Sequence, residues 1–490
     1  MQWMKRNIVF AVLVFTPYGV LLAQATQTNP ATTAEDSLTL ESFREQFGKV
    51  PETATITIRD ILISGNKKTN EKIILREIPF KEGEQYELKD LVKKIEDAKR
   101  QLKNTVLFHE VEVEIKKFED NHADILIAVK ERWYLFPIPY FKYIDRNLNE
   151  WLFQNNASFK RVNYGLKVLY NNVTGYNDKL NLWLINGYTK QVSINYDRLY
   201  IDKKLKWGLN TAIALGKNRE VNYSTVNNKQ LFFKDTSNFV RSYFKTNAEI
   251  TYRRAIRTRH RIGVAYTDER VSDTIVALNP SYFKDGRNRI RFPEIYYSMS
   301  YFDVDYIPYP LQGYQAEGSF VKRGFNNIIN LWQLTAKGGG SWKIAKNTYF
   351  GTRISGTVKF PFNQPYIHQR LFGYSDFFMQ GYEYYVIDGV AGGYIKTIVT
   401  RELFNFFIRY RKAKIGSVDR IPMRIFAKAY TNAGYIHHPN PGENGLSNRM
   451  LYSGGVGLDL LTFYDFTFRL EWSFNQLGQN GLYLHRKSNF

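Results

Sequence analysis

Between residues 466 and 475 the chain alternates without a break. Phe466, Phe468, Leu470, Trp472 and Phe474 fall on one parity; Thr467, Arg469, Glu471, Ser473 and Asn475 fall on the other. Successive side chains of an extended backbone point to opposite faces, so this order dictates a strand with one apolar and one polar face. Leu180/Leu182/Leu184, Val192/Ile194/Tyr196 and Val456/Leu458/Leu460 repeat the pattern less cleanly. Residues 133–490 lack helical patterning, and no apolar run there approaches the roughly 18 residues that a spanning helix needs. Two architectures use such strands: a soluble sandwich, with the apolar face on a core, and a membrane barrel, with the apolar face on lipid and the polar face on the lumen. The 35 Tyr and 35 Phe favour the barrel, whose interfaces are girdled by aromatics.

The N-terminus points the same way. Lys5 and Arg6 precede an apolar run from Ile8 to Ala23, and Ala23-Gln24-Ala25 offers a small-x-small cleavage site. This is the pattern of a signal peptide over residues 1–25. Residues 26–54, rich in Thr, Ala, Glu and Pro, read as a solvated linker with one helical turn around Leu40 to Phe47. The chain has no cysteine, which excludes disulfide staples and a lipid-modified N-terminal cysteine.

Candidate strands begin near Leu135, Val162, Lys179, Gln191, Lys206, Phe239, His260, Arg291, Gly313, Ile329 and Thr348, then near Ile395, Ile421, Met450, Phe466 and Gly481. They make sixteen, an even number as a closed antiparallel barrel of this kind requires. The longest gaps (216–238, 268–289, 361–394 and 433–449) all follow odd strands, so long loops fall at one end and most short turns at the other. The fold class expected is therefore an α+β domain followed by an all-β transmembrane antiparallel barrel over residues 133–490.

That α+β domain occupies residues 55–132. Ile61 and Ile63 alternate with polar neighbours and stop at Gly65-Asn66. Thr69 or Asn70 can cap a short helix carrying Ile74 and Ile78. Leu88, Leu91, Val92, Ile95, Ala98 and Leu102 keep helical spacing. Val111/Val113/Ile115 and Ile125/Ile127/Val129 alternate about a Glu119-Asp120-Asn121 turn. The order is strand–helix–helix–strand–strand. With the segments SGN, LREI, FKEG and VLFHEVEVEI…ILIAVKERW at these spacings, it resembles a POTRA (polypeptide-transport-associated) domain. One such domain followed by a barrel of sixteen strands resembles the BamA/TamA/FhaC superfamily, over residues 56–490.

The resemblance implies further features. The family's long sixth loop folds into the lumen and carries an Arg-Gly-Phe/Tyr tip. Gln380, Gly381 and Tyr382 stand at that place, with Gln380 where the family has arginine. Arginine anchors the loop on wall acids with a charged, forked donor set that glutamine lacks. Glu402 on the next strand is the expected wall partner, with Arg401 beside it replacing the missing charge. Phe490, a terminal aromatic on the last strand, resembles the signal by which such barrels are recognised for assembly. Pro137 and Pro139 lie two residues apart in the first strand, so their missing N–H groups fall on one edge. In the family the junction of first and last strands is thought to open laterally, which makes Pro137, Pro139, Gly481 and Tyr483 the expected seam.

Net charge is +22, yet residues 55–132 hold 16 basic and 16 acidic side chains, so the excess lies in the barrel stretch. Scattered among strands and loops, without a nucleic-acid motif, it suits anionic lipid headgroups rather than nucleic acid. No phosphate loop, nucleophile elbow or His/Cys/Asp ligand set is apparent. His437 and His438 are adjacent, so in a strand they point to opposite faces, and a solvated loop is expected. The expectations are a non-enzymatic protein without cofactor or metal, integral to a bacterial outer membrane with its POTRA domain in the periplasm. It assists assembly, insertion or translocation of other polypeptides. Partners would be unfolded outer-membrane or secreted clients, accessory periplasmic or lipoprotein subunits, and membrane lipid. The alternatives are a dedicated two-partner-type secretion pore and a passive channel or surface receptor.

Overall fold

A computed structural model describes residues 43, 47, 48, 50–143, 159–375, 377–409 and 420–485. The expected signal peptide, most of the linker and Phe490 lie outside the described residues.

The N-terminal domain comprises β1 (Thr55–Ser64), α1 (Glu71–Glu77), β2 (Gln85–Glu87), α2 (Leu88–Asn104), β3 (Phe108–Glu119) and β4 (His122–Glu131). Its sheet runs β2-β1-β4-β3, with β1 parallel to β4. The short strand β2, pairing antiparallel with β1, is an addition to the order expected; at three residues it carries no periodicity to read. Asn70 caps α1, its side chain accepting from the Lys72 N–H. Leu88, Leu91, Val92, Ile95, Ala98 and Leu102 of α2 are all buried, against Ile56, Ile58, Val111, Val113, Ile115, Ile125 and Ile127 from the sheet. At about 1.5–3 kcal/mol per buried aliphatic side chain larger than alanine, this face is a large contributor to the domain's hydrophobic stabilisation.

The rest is a single antiparallel sheet of sixteen strands in chain order. It runs through β5 (Leu135–Tyr143), β6 (Val162–Asn171), β7 (Lys179–Gly187), β8 (Thr189–Tyr200) and β9 (Trp207–Asn218). After a hairpin, β10 (Glu220–Val226) and β11 (Lys229–Lys234), come β12 (Arg241–Tyr252) and β13 (Thr258–Val271). A helix, α3 (Asp273–Leu278), leads to β14 (Arg289–Val304), β15 (Gly313–Arg323), β16 (Leu331–Ala345) and β17 (Thr348–Phe360). A long loop holds α4 (Tyr366–Gln369), β18 (Arg370–Phe372) and β19 (Ile387–Asp388). The sheet ends with β20 (Ala391–Arg409), β21 (Arg420–His437), β22 (Met450–Thr462), β23 (Thr467–Asn475) and β24 (Asn480–His485). Each of the sixteen begins within a few residues of the position read from alternation. The hairpin β10–β11 lies within the gap 216–238, where alternation predicts no strand.

Burial along β23 follows parity throughout: Thr467, Arg469, Glu471 and Ser473 are buried, while Phe468, Leu470, Trp472 and Phe474 are 41–50 % exposed. A contiguous apolar outer face on this scale is incompatible with water and belongs against lipid.

The two ends of this barrel differ. At the far end the long loops pack into a roof: Val221, Ile275, Tyr282, Phe283, Ile329 and Tyr366 form one buried cluster. The Tyr366 hydroxyl reaches Asn222 Oδ1 (2.7 Å), and the Asn228 N–H donates to Asn444 Oδ1 (2.8 Å). At the near end the N-terminal domain is seated on the short turns. Arg253, after β12, forks onto both oxygens of Glu77 at 2.5 Å. Arg132 does the same to Asp465 (2.6 and 3.1 Å). Asn104 bonds Val304 and Ile307 across the turn 305–312 (3.0 and 2.9 Å), and Asn70 and Arg76 meet the turns before β7 and β9.

Two groups make this seat sensitive to acid. Burial pushes the Glu77 carboxyl up, but the charge and hydrogen bonds of Arg253, with Arg76 behind, overcome it and hold the group at about 2. Burial, with the charges of Arg132 and Lys130, holds His109 at about 4, where its ring stacks on Phe463 at 5.1 Å. Both folded values lie below the unfolded ones. The stabilisation is therefore complete at neutral pH; the His109 part is lost as pH falls from about 6.5 towards 4, and the Glu77 part from about 4.5 towards 2. Glu77→Gln leaves Arg253 buried and unpaired, which costs about 3 kcal/mol. Hydrogen exchange of α1 at pH 7 should speed up accordingly in the variant while the barrel strands keep their protection.

Candidate functional site

Two regions concentrate unusual geometry: the meeting of the first and last barrel strands, and the long loop where it enters the lumen.

The sheet order ends at β5 on one side and β24 on the other, and among the described residues no ladder joins them. Their neighbourhoods nonetheless meet, since the rings of Phe136 in β5 and Tyr464, in the turn before β23, lie 5.0 Å apart edge to face. The Asn171 N–H donates to the Tyr134 carbonyl (2.8 Å), which fixes the phase of the β5–β6 ladder. Even-numbered residues of β5 bond to β6, and odd-numbered ones turn their backbone groups to the free edge. Pro137 and Pro139, opposite Val168 and Leu166, are odd. Both missing N–H groups therefore lie on the edge that faces β24, and the β6 side is unharmed. The Leu135 carbonyl on that edge is already taken by the Trp133 indole. On the opposite side, the Asn475 N–H bonds the Gln479 carbonyl (3.0 Å). By the same phase Gly481 and Tyr483 bond β23, while Asn480, Leu482 and Leu484 present their backbone to the free edge.

The loop between β17 and β20 runs inward, and its tip docks on the inner faces of β22 and β23. Met379, Gln380 and Tyr382 are all at most 2 % exposed. The Tyr382 hydroxyl donates to the Tyr452 carbonyl (3.1 Å), and Asn475 Nδ2 donates to the Gly381 carbonyl (2.7 Å). Gly381 has φ +91°, and a Cβ there would stand 2.9 Å from the Phe474 carbonyl oxygen. Only glycine meets both conditions.

The wall partner expected for this tip is elsewhere. Glu402 is held by Arg424 of β21 (3.0 and 3.1 Å), and its N–H bonds the Asn347 carbonyl in a near-end turn. Arg401, its neighbour, faces outward and is exposed. Eleven residues below Ala391, Glu402 sits about 36 Å along the strand from the loop's end. Alternation reports the face a side chain takes, not its height. The acids beneath the tip are Asp459 and Glu471, and a lysine of the wall itself neutralises them: Lys428 Nζ lies 2.5 Å from Asp459 and 2.6 Å from Glu471. Arg469 stands 3.7 Å from Asp459. Here the charge expected from Arg401 comes instead from Lys428 of β21, and Gln380 Oε1 has no hydrogen-bond partner among the described residues. Tyr309, carried into the lumen by the turn 305–312, stacks on Phe426 (4.7 Å) and donates to Asp459 (2.8 Å). Arg469 and Glu471 were legible on the polar parity of β23; Lys428 and Tyr309 had no such signal.

Comparison with known proteins bears on the fold. Residues 56–132 match the POTRA family model, surface antigen variable number repeat. Among solved structures, CdiB from Escherichia coli aligns at TM-score 0.50 and 11 % identity, covering 88 % of this chain and 74 % of that one. BamA from Haemophilus ducreyi lacking POTRA domains 1–3 aligns at 0.45 and 14 %, covering 88 % and 83 %. The comparison with curated proteins found no match. The chain thus carries a POTRA domain at residues 56–132 followed by a sixteen-stranded antiparallel sheet, and it shares its fold with CdiB from Escherichia coli.

Gly381→Ala forces a strained φ and a carbonyl clash, which costs about 1–3 kcal/mol at the tip. Limited proteolysis should cut within residues 361–390 faster in this variant, with the barrel fragments intact.

Proposed function

We propose that this is an outer-membrane protein, its POTRA domain in the periplasm, that helps other polypeptides fold, insert or cross through the junction of β5 and β24. The observation that carries this reading is the edge of β5 that has no ladder among the described residues. In a bilayer an unpaired backbone group costs several kcal/mol, so every barrel edge must find a partner. An edge lacking two donors and with one carbonyl already occupied pairs weakly with β24 and yields readily to an incoming strand. The POTRA sheet supplies a second such edge, β3, where main-chain hydrogen bonds would hold a client with little regard to sequence. No enzymatic step is required. The driving force is the free energy gained when the client's own strands close in lipid. Clients are unfolded outer-membrane or secreted polypeptides, and accessory periplasmic or lipoprotein subunits would bring them.

A passive channel fits less well, because the lumen is roofed by the far loops and seated on the POTRA domain at the other end. A dedicated secretion pore shares the seam and differs in the range of clients.

Replacing Pro137 and Pro139 together by Val returns two donors to the edge, at about 1 kcal/mol per ladder bond formed. The variant should assemble and melt higher, yet lose client handling. Paired cysteines at position 137 and at positions 481–484, in a chain with no other cysteine, lock the seam on oxidation. Quantitative proteomics of the outer membrane and medium then reads the result. Loss of many barrels on locking, restored by reductant, supports assembly; loss of one secreted product indicates a dedicated pore. Unchanged fractions in the locked state sink the proposal.

A further inference from the structure

Beneath the loop tip, three side chains distant in sequence converge. His485 of β24, Glu471 of β23 and Glu383 of the loop bring one donor atom each to within 4.8 Å of one another. His485 Nε2 stands 3.1 Å from Glu471 Oε2 and 3.3 Å from Glu383 Oε1. A single imidazole N–H donates well to one carboxylate at a time, and a charge-assisted bond of that kind closes to about 2.7–2.9 Å. The long His485–Glu383 hydrogen bond and the 3.1 Å approach to Glu471 are also close to the separation of about 3.3 Å that two donors show when each lies about 2.0–2.1 Å from a tetrahedral cation.

The surroundings of the carboxylates point to the same use. Glu471 is 1 % exposed, and its other oxygen, Oε1, is held by Lys428 at 2.6 Å. Glu383 likewise has its other oxygen, Oε2, held by the Gly381 N–H at 2.8 Å. Each carboxylate is thus pinned through one oxygen while the second is turned to His485 Nε2, the arrangement by which outer partners orient metal ligands. The His485 ring is itself set between Phe378 (5.6 Å) and Tyr483 (6.3 Å).

We propose that Glu383, Glu471 and His485 bind a divalent transition-metal cation of the Zn²⁺ class. One nitrogen and two carboxylate oxygens suit Zn²⁺ better than Mg²⁺ or Ca²⁺, which prefer all-oxygen shells. A water completes the fourth position. The three ligands belong to the loop tip, β23 and the last strand, so a bound cation adds to the β23–β24 ladder a direct tie between β24 and the loop tip. This part rests on the seam reading above: the cation holds the junction shut, and its removal frees β24.

The test uses the full-length chain in detergent, stripped with a chelator and titrated with Zn²⁺ by calorimetry, and with Co²⁺ by visible absorption. The expected result is one ion per chain, with the d–d bands of a four-coordinate Co²⁺ site. His485→Ala and Glu383→Gln should each weaken binding by at least tenfold, and Zn²⁺ should raise the melting temperature of the parent chain but not of His485→Ala. Because the chain has no thiols, the remaining competitors are its other six histidines, and a His437→Ala/His438→Ala variant should bind unchanged. Absence of stoichiometric uptake, or uptake that His485→Ala and Glu383→Gln leave intact, overturns the site and leaves His485 as a hydrogen-bonded bridge. Binding is read without any client, so it stands or falls apart from the seam reading. A chain that binds Zn²⁺ yet handles clients equally with and without it, and with its seam locked, keeps the metal site and refutes the gate.

Discussion

Lipid offers no hydrogen bonds, so a sheet that crosses a membrane must pair every edge it has. Fifteen successive antiparallel pairings do this along the present sheet, and only the sixteenth junction, between β5 and β24, has no ladder among the described residues. The weakness proposed for it is built locally. Two prolines remove donors, an indole occupies an acceptor, and the phase of the β5–β6 ladder directs all three changes to the same edge. Had Pro137 and Pro139 been shifted by one residue, they would have broken the β6 pairing and damaged the barrel body instead.

Everything else steadies the ring on either side of that junction. The POTRA domain is clamped by forked arginine pairs to the turns after β12 and before β23, the latter beside the seam. The long loop reaches through the lumen to β22 and β23, next to the last strand. Lys428 balances two buried acids that would otherwise repel one another there, which makes the wall self-sufficient where the resemblance implied an arginine from the loop. Such a buried network is costly to break and so rigidifies the wall against which β24 lies.

How much of this was legible depends on which physical signal each feature carries. Strand existence, face and order were, because a residue between water or lumen and lipid has to alternate with period two. The near- and far-end assignment of loops followed from length alone. Height along a strand carries no such signal, which is why Glu402 was matched to a loop tip that it does not reach. Three-residue strands such as β2, and a hairpin such as β10–β11 inside a long loop, are too short or too irregular for periodicity. The convergence of residues 383, 471 and 485 depends on how the loop folds back, and no local pattern encodes it.

Native-state hydrogen exchange, resolved residue by residue in a micelle, addresses the seam most directly. The account predicts that the free-edge amides of Leu482 and Leu484 exchange at least about a hundredfold faster than those of β13 and β14, since local opening scales with the ladder bonds that must break. Protection of Leu482 and Leu484 equal to that of β13 and β14 would mean that the junction is an ordinary pairing, and the account of this barrel as one with a built-in weak seam would be wrong.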